Sequence, residues 1–322
     1  MIIDIYAHHI SERVAKYVVK GKYYGEGKEF PFPPQNADPQ ARLALMDKYG
    51  VNIQALSQTT PLLLGWNPQE AADLCRMSND DNFALCKAYP KRFVNICIIS
   101  LLDMPSAMKE LDRCVNELDC RGVTIASSQN GKGLESREYY PFYEKVVKHD
   151  LPILIHGTHW ECSPLMDMEH SWRFLHVFGW DYDGTQAVWR LIFGGVLDRF
   201  PTLKIVTHHL GNYIPFFKRR IEANVNKFLK DQLPRPITEY WGNIYGDTAV
   251  DGTLGALPCG YAFFGSERML YGSDYPFGAE AGEDFIRENL ACVKGMYIPP
   301  EERAKILGGN AKKMLKIKGR NR

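Results

Sequence analysis

The stretch MIIDIYAHHI, residues 1–10, sets a pattern that recurs along the whole chain. Its apolar residues from Ile2 to Tyr6 predict a short buried β-strand, and two adjacent histidines, His8 and His9, follow directly. Imidazoles at the end of a core strand have two interpretations: a metal site, or a histidine pair satisfied by ordinary hydrogen bonds. The remaining strands of the chain bear on that choice.

Seven further apolar runs resemble the first and alternate with longer amphipathic segments. The eight predicted strands are Ile2–Tyr6, Ile53–Ser57, Phe93–Ile99, Gly122–Ala126, Leu151–Ile155, Leu203–Thr207, Ile244–Thr248 and Met269–Tyr271. Alternation of this kind indicates βα units around a parallel sheet. Eight units in 322 residues predict the α/β fold called a (β/α)8 TIM barrel, formed as a single domain over residues 1–322.

Local signals refine this prediction. Asp38 and Asn67 each precede a proline, which is typical of a capped helix start, so we expect helices to begin at Pro39 and Pro68. Residues 16–37 are rich in glycine, proline and aromatic side chains. They predict a small insertion between the first strand and the first helix.

The composition narrows the classes of partner. Lys and Arg number 39 against 38 for Asp and Glu, which gives no reason to expect nucleic acid or an anionic membrane as a partner. No long uncharged apolar stretch occurs, and the start has no basic segment followed by an apolar one. We therefore expect a cytoplasmic protein without a signal peptide or membrane span, acting on a small molecule.

In a TIM barrel, functional side chains lie at the carboxyl ends of the strands. Polar residues of the right kind follow the first, fifth, sixth and eighth predicted strands: His8 and His9, His156, His208 and His209, and Asp274. Imidazoles and carboxylates are ligands that zinc, manganese and iron accept, and catalytic sites use about three protein ligands. We predict that His8, His156 and Asp274 are functional residues of a metal site of this kind. One member of each histidine pair is expected only to pack against or orient its neighbour.

Longer motifs support this interpretation. They are MIIDIYAHH (1–9), RLALMDKYGVNIQALS (42–57), LCRMSNDDNFALCKAYPKRFV (74–94), FGGVLDRFPTLKIVTHHLGNYIPF (193–216), RMLYGSDYPFG (268–278) and GGNAKKML (308–315). In these motifs the chain resembles the decarboxylase branch of the amidohydrolase superfamily, in particular aminocarboxymuconate semialdehyde decarboxylase and the hydroxybenzoate decarboxylases. The resemblance covers nearly the whole chain.

The resemblance implies roles for particular residues. It places His156 on the fifth-strand ligand, Asp274 on the catalytic eighth-strand aspartate, and His209 on the sixth-strand acid–base histidine. The two ligand positions of the first strand fall on Tyr6 and His8. The absence of a lysine from the fourth strand, GVTIASSQ, implies one metal ion rather than two.

Tyr6 departs from the family pattern, because a phenol with a pKa near 10 is a poor ligand unless the ion removes its proton. One alternative makes Tyr6 a phenolate ligand or a group beside the ligands, with the ion held by His8, His156 and Asp274. In the other alternative the protein binds the metal more weakly, and the reaction relies on general acid–base residues. His9 is a third candidate for the vacated position, although a neighbouring strand residue normally faces the opposite way.

The function that the resemblance implies is metal-dependent, nonoxidative decarboxylation of an aromatic or unsaturated carboxylic acid. Zn2+ is the expected ion and Mn2+ the alternative, and a homodimer or larger homo-oligomer is expected. A hydrolase or hydratase that activates water at the same ligands is the first rival. A noncatalytic family member that has lost a ligand is the second.

Overall fold

The computed structural model describes residues 1–18, 38–63, 65–158 and 175–318. Eight strands form one parallel sheet: β1 (Ile3–His8), β2 (Ile53–Ser57), β3 (Phe93–Ile98), β4 (Gly122–Ala126), β7 (Pro152–His156), β8 (Lys204–Thr207), β9 (Ile244–Asp247) and β10 (Met269–Leu270). Two further strands, β5 (Ser128–Gln129) and β6 (Lys132–Gly133), form a separate antiparallel pair. The strands of the sheet neighbour one another in chain order, as βα units require.

The sheet closes between β1 and the residues around the end of β10. The amide of Ile5 donates to the Tyr271 carbonyl at 2.8 Å, and the amide of His8 donates to the Tyr275 carbonyl at 2.6 Å. The amide of Asp274 donates in return to the Tyr6 carbonyl at 3.0 Å. The predicted TIM barrel is thus confirmed, and its closure places Asp274 beside the first strand although the two come from opposite ends of the chain.

The helices occupy the segments between the strands. Within the described residues they are α1 (Glu12–Val18), α2 (Pro39–Tyr49), α3 (Pro68–Ala88), α4 (Met104–Glu117), α5 (Tyr140–Lys148), α6 (Trp180–Phe193), α7 (Val196–Arg199), α8 (Ile214–Asn224), α9 (Ile237–Tyr240), α10 (Ala256–Phe264), α11 (Glu283–Gly295), α12 (Pro300–Ala304) and α13 (Asn310–Met314). The predicted helix starts at Pro39 and Pro68 are confirmed: Asp38 accepts from the Gln40 amide, and Asn67 forms a capping box with Glu70. None of the described helices is long and apolar enough to cross a membrane.

The predicted insertion at residues 16–37 falls mostly outside the described residues. Residues 16–18 are the end of α1, and residues 19–37 are not among those described. The single domain over residues 1–322 likewise stays a prediction.

Strand periodicity separates two hydrophobic clusters and thereby sets the direction of the site residues. In β7, Ile153 and Ile155 belong to the cluster between strands and helices, whereas Leu154 belongs to a second cluster that includes Tyr6, Val206 and Leu270. Because side chains of a strand alternate between faces, residues two positions further along share the face of Leu154 and Val206. Those residues are His156 and His208.

Candidate metal centre

Three imidazoles from three strand ends meet at the carboxyl end of the barrel. His8 ends β1, His156 ends β7, and His208 follows β8. One ring nitrogen from each lies within 4.8 Å of the other two, and all three side chains are buried. The structure therefore brings the predicted ligands His8 and His156 together, and adds His208 to them.

Each of these rings is held through its Nδ1 atom. The partners of Nδ1 are the Ser57 hydroxyl at 3.3 Å for His8, the Gly157 carbonyl at 2.8 Å for His156, and the Asp247 carboxylate for His208. This leaves Nε2 as the nitrogen that each ring can offer to an ion. His8 Nε2 is buried and forms no well-aligned hydrogen bond with any described residue. Histidine ligands in metalloproteins are commonly held in this way, by a hydrogen bond from the other ring nitrogen.

Asp274 supplies a carboxylate to the same cluster. Its Oδ1 lies 3.0 Å from His8 Nε2 and 3.2 Å from His208 Nε2. Two ligands at about 2.1 Å from one ion are about 3.0–3.4 Å apart, so these separations fit donors that share an ion. Asp274 has a positive φ of 63°, a conformation that costs a non-glycine residue energy and that recurs at functional sites.

Electrostatics keeps two of the imidazoles in the form that binds metal. Burial lowers the pKa of His8, and burial together with the neighbouring His8 and His208 lowers the pKa of His156 well below its usual range. Both rings are therefore neutral at neutral pH, as a ligand must be. Burial alone would raise the pKa of Asp274, but His208 and His8 lower it well below its usual range, so this carboxyl is ionised.

His208 lies between two carboxylates. Burial would lower the pKa of His208, but Asp247 and Asp274 outweigh it and raise this pKa to about 10. Without an ion, Nδ1 and Nε2 therefore each donate a proton to a carboxylate, those of Asp247 and Asp274 respectively. An ion bound at Nε2 would take the place of the second proton.

Tyr6 lies against the cluster with its hydroxyl already engaged. The hydroxyl donates to the Ile155 carbonyl at 3.0 Å, and the ring stacks on His208 with centroids 3.9 Å apart and planes 7° from parallel. Burial raises the pKa of Tyr6 well above its usual value, and Asp247 and Asp274 raise it further. Tyr6 is accordingly a neutral phenol that supports His208.

His209 reaches the site by an unusual backbone path. Its own φ is 49° and that of Leu210 is 58°, so the chain reverses just after β8 and two successive histidines approach the same centre. His209 Nδ1 lies 3.1 Å from Asp181 Oδ1, and Nε2 lies 3.9 Å from Asp274 Oδ2. Its side chain is 23% exposed, whereas that of His208 is 3% exposed, so His209 is the one that can meet a substrate.

The sequence reasoning missed two carboxylates. Asp247 directly ends β9 and was identifiable as another polar residue at a strand end. Asp181, on α6, follows no strand, and only the folded chain reveals its contact with His209. His9 in turn points away from the centre, because its Nδ1 pairs with Asn82 Oδ1 at 2.7 Å.

Aromatic side chains border the cluster. The ring of Phe277 lies 5.6 Å from that of His8, and the ring of Trp180 lies 5.8 Å from that of His156, measured between centroids. Both side chains are partly exposed. They provide apolar surface against which a flat, unsaturated ligand can pack.

The chain is similar to several curated enzymes. The chain is 31% identical over 316 residues to 2-amino-3-carboxymuconate-6-semialdehyde decarboxylase of Dictyostelium discoideum, covering 96% of this chain and 83% of the relative. It is 29% identical over 243 residues to 2-keto-4-carboxy-3-hexenedioate hydratase of Sphingobium sp., covering 70% of this chain and 66% of that one. Six further curated relatives, 26–28% identical, are all decarboxylases, so this activity predominates among them.

A solved structure shares the fold. Dihydroxybenzoic acid decarboxylase from Polaromonas sp., with bound manganese and the inhibitor 2-nitroresorcinol, superposes with a TM-score of 0.82 at 24% identity, over 98% of this chain and 96% of that chain. The amidohydrolase family profile matches residues 3–317. The resemblance inferred from the sequence motifs is thereby confirmed, and the chain belongs to the amidohydrolase family.

Proposed function

We propose that this protein is a metal-dependent, nonoxidative decarboxylase of an aromatic or unsaturated carboxylic acid that carries a hydroxyl, amino or carbonyl group beside the carboxylate. The observation that carries the proposal is the convergence of His8, His156 and Asp274 beside the partly exposed His209. The predominance of decarboxylases among the relatives supports the same reaction. A carboxy-lyase needs a site that orients a carboxylate and a group that delivers a proton to carbon, and these residues can provide both.

The donor set fits one divalent ion. Such an ion, when bound, supplies a positively charged Lewis acid that orients the substrate carboxylate and its neighbouring oxygen. Imidazole nitrogens outnumber carboxylates among the donors, which favours Zn2+ over Mn2+. Mn2+ remains the alternative, since the Polaromonas neighbour binds manganese.

His209 is the residue we assign to proton delivery. Burial lowers the pKa of His209, but Asp181 and Asp274 outweigh this effect and raise it overall. Asp181 therefore favours the protonated ring and orients it through Nδ1. Nε2 donates the proton to the carbon that bears the carboxylate. The bond to the carboxylate carbon then breaks, its electron pair restores the conjugation, and carbon dioxide leaves.

In this scheme Asp274 supports His209 and does not itself donate the proton. A proton donor must be protonated, yet the pKa of Asp274 lies well below its usual range. We therefore assign Asp274 to metal binding and to orienting His209 rather than to direct protonation of the substrate. Asp274, the catalytic aspartate that the resemblance implies, thus contributes to catalysis by holding the ion and His209 in place.

Isotope labelling tests the proposal directly. Purified protein loaded with Zn2+ or Mn2+ is incubated in D2O with a panel of ortho-hydroxybenzoates, 2,6-dihydroxybenzoate among them. We expect carbon dioxide and a product with one deuterium at the carbon that lost the carboxylate. His209→Asn should keep the bound metal and lose turnover. Metal-loaded protein that releases carbon dioxide from no acid of the panel would contradict the proposed substrate class.

A hydratase is the second candidate function, because one relative has that activity. The same residues could position water for addition to an activated double bond. Mass spectrometry separates the two reactions: hydration adds the mass of one water to the substrate, whereas decarboxylation removes the mass of carbon dioxide. A noncatalytic role would instead be favoured by protein that binds less than about a tenth of an equivalent of metal even after supplementation.

A homodimer or larger homo-oligomer and a cytoplasmic location stay predictions made from the sequence. Sedimentation of the purified protein tests the first. A small carboxylic acid is the partner that the site itself supports, through its imidazoles and the flanking rings of Phe277 and Trp180.

A further inference from the structure

The resemblance assigns a metal ligand to the position of Tyr6, but this side chain is not free to bind an ion. Tyr6 donates its hydroxyl hydrogen to the Ile155 carbonyl, and its ring lies flat on the imidazole of His208. A phenol oxygen engaged as a donor to backbone must break that bond and lose its proton before it can bind metal. The site therefore lacks one ligand at β1.

His208 lies where it can supply the missing donor. Two groups of mutually close donors occur among the described residues: His8 with His156 and His208, and His208 with His209 and Asp274. His208 is the residue that the two groups share. Its Nε2 lies 3.2 Å from Asp274 Oδ1, close to the 3.0 Å that separates this oxygen from His8 Nε2.

The anchoring of His208 also matches that of the other imidazoles. The Nδ1 atom of His208 is hydrogen-bonded to the Asp247 carboxylate. In the same way, the Nδ1 atom of His8 is hydrogen-bonded to the Ser57 hydroxyl and that of His156 to the Gly157 carbonyl. A carboxylate behind a histidine fixes the ring orientation and raises its basicity as a ligand. Its side chain is 3% exposed, which keeps it from solvent and leaves substrate contact to His209.

We infer that His208 is a metal ligand of this protein, in place of Tyr6, so that the ion is held by three imidazoles and Asp274. Tyr6 is a positioning residue whose ring supports His208, and Asp247 orients His208 from the other side. This inference rests on the proposed metal-dependent function, and it changes the assignment of the sixth-strand histidines: His208 binds metal and His209 carries the proton.

The first test counts the imidazoles on the ion, independently of turnover. X-ray absorption spectra of the Zn2+-loaded wild-type protein should show three imidazoles, and His208→Ala should show two. Zn2+ affinity, measured by competition with a chelator, should fall at least about 100-fold in His208→Ala. Tyr6→Phe, the matched control that removes only the phenol oxygen, should retain three imidazoles and change Zn2+ affinity less than about threefold.

The opposite pattern would overturn the inference. If His208 only bridges Asp247 and Asp274 through hydrogen bonds, the wild-type spectrum contains two imidazoles and His208→Asn keeps the same count. If Tyr6 is the ligand after all, Tyr6→Phe loses metal, and Fe3+-loaded wild-type protein shows a visible phenolate charge-transfer band. The wild-type spectrum decides the count even where His208→Ala does not fold.

Failure of this inference and failure of the proposed function are distinguishable. Three imidazoles without decarboxylation of any tested acid would preserve the ligand assignment and refute the function. Decarboxylation with two imidazoles would preserve the function and refute the ligand assignment.

Discussion

Replacing Arg42 with methionine should destabilise the barrel where its first strand meets its last. Arg42 lies on α2 and is 1% exposed. Its guanidinium donates to the His8 carbonyl at 2.6 Å and to Gln54 Oε1 at 3.1 Å, and it lies 4.5 Å from the ring centroid of Tyr275. Burial lowers the pKa of Arg42 to about 10.

The expected loss follows from those contacts. Methionine removes two charge-assisted hydrogen bonds and leaves two buried oxygens without this donor, at about 1–3 kcal/mol each. The lost cation–π contact adds about 1–2 kcal/mol, while relief from burying a charge offsets part of the total. We expect a net loss of about 2–4 kcal/mol. With an unfolding entropy of about 2.1 cal/mol/K per residue, the melting temperature of this chain should fall by about 3–6 °C.

Thermal unfolding followed by circular dichroism measures the effect. EDTA is included, because bound metal would stabilise the folded state and obscure the difference. Arg13→Met is the matched control: Arg13 also pairs with an acidic residue, Asp81, but its side chain is 55% exposed, so we expect less than about 1 kcal/mol. A melting temperature of Arg42→Met within 1 °C of the wild-type value, about the precision of the assay, would refute this reasoning.

Three further outcomes are expected. Asp181→Asn weakens the hydrogen bond that orients His209, so kcat should fall about 10–100-fold. Metal content, measured by mass spectrometry, should stay unchanged, and a loss of metal would contradict the role of Asp181 in orienting His209. Asn82→Ala removes the hydrogen-bond partner of the buried His9 Nδ1, so the free energy of unfolding measured in urea should fall by about 1–3 kcal/mol. The metal should be retained, and its loss would implicate His9 as a ligand. Finally, Zn2+ at about 100 times its Kd should raise the free energy of unfolding by about 2.7 kcal/mol over the EDTA-treated protein, and an identical unfolding curve would argue against a folded-state site.

The alternation of short apolar runs with amphipathic segments was sufficient to predict the barrel, because strand and helix periodicities are local properties of the chain. The same rule selected His8, His156 and Asp274 as candidate site residues, since parallel strands direct their carboxyl ends to one rim. The first strand runs two residues further than predicted, to His8, because its hydrogen bonds with the residues after β10 continue to that point.

Tertiary structure decided which of the paired histidines face the centre: one from the first pair and both from the second. His9 is turned away by its bond to Asn82 on α3, a residue far along the chain. At the second pair, strand alternation directs His208 inward, and the left-handed backbone at His209 and Leu210 then brings His209 in as well. Packing around the turn has to hold this reversal in place, since a bulky side chain such as that of Leu210 rarely adopts a positive φ. Asp181 meets His209 for the same reason: the contact exists only once α6 has packed against the end of β8.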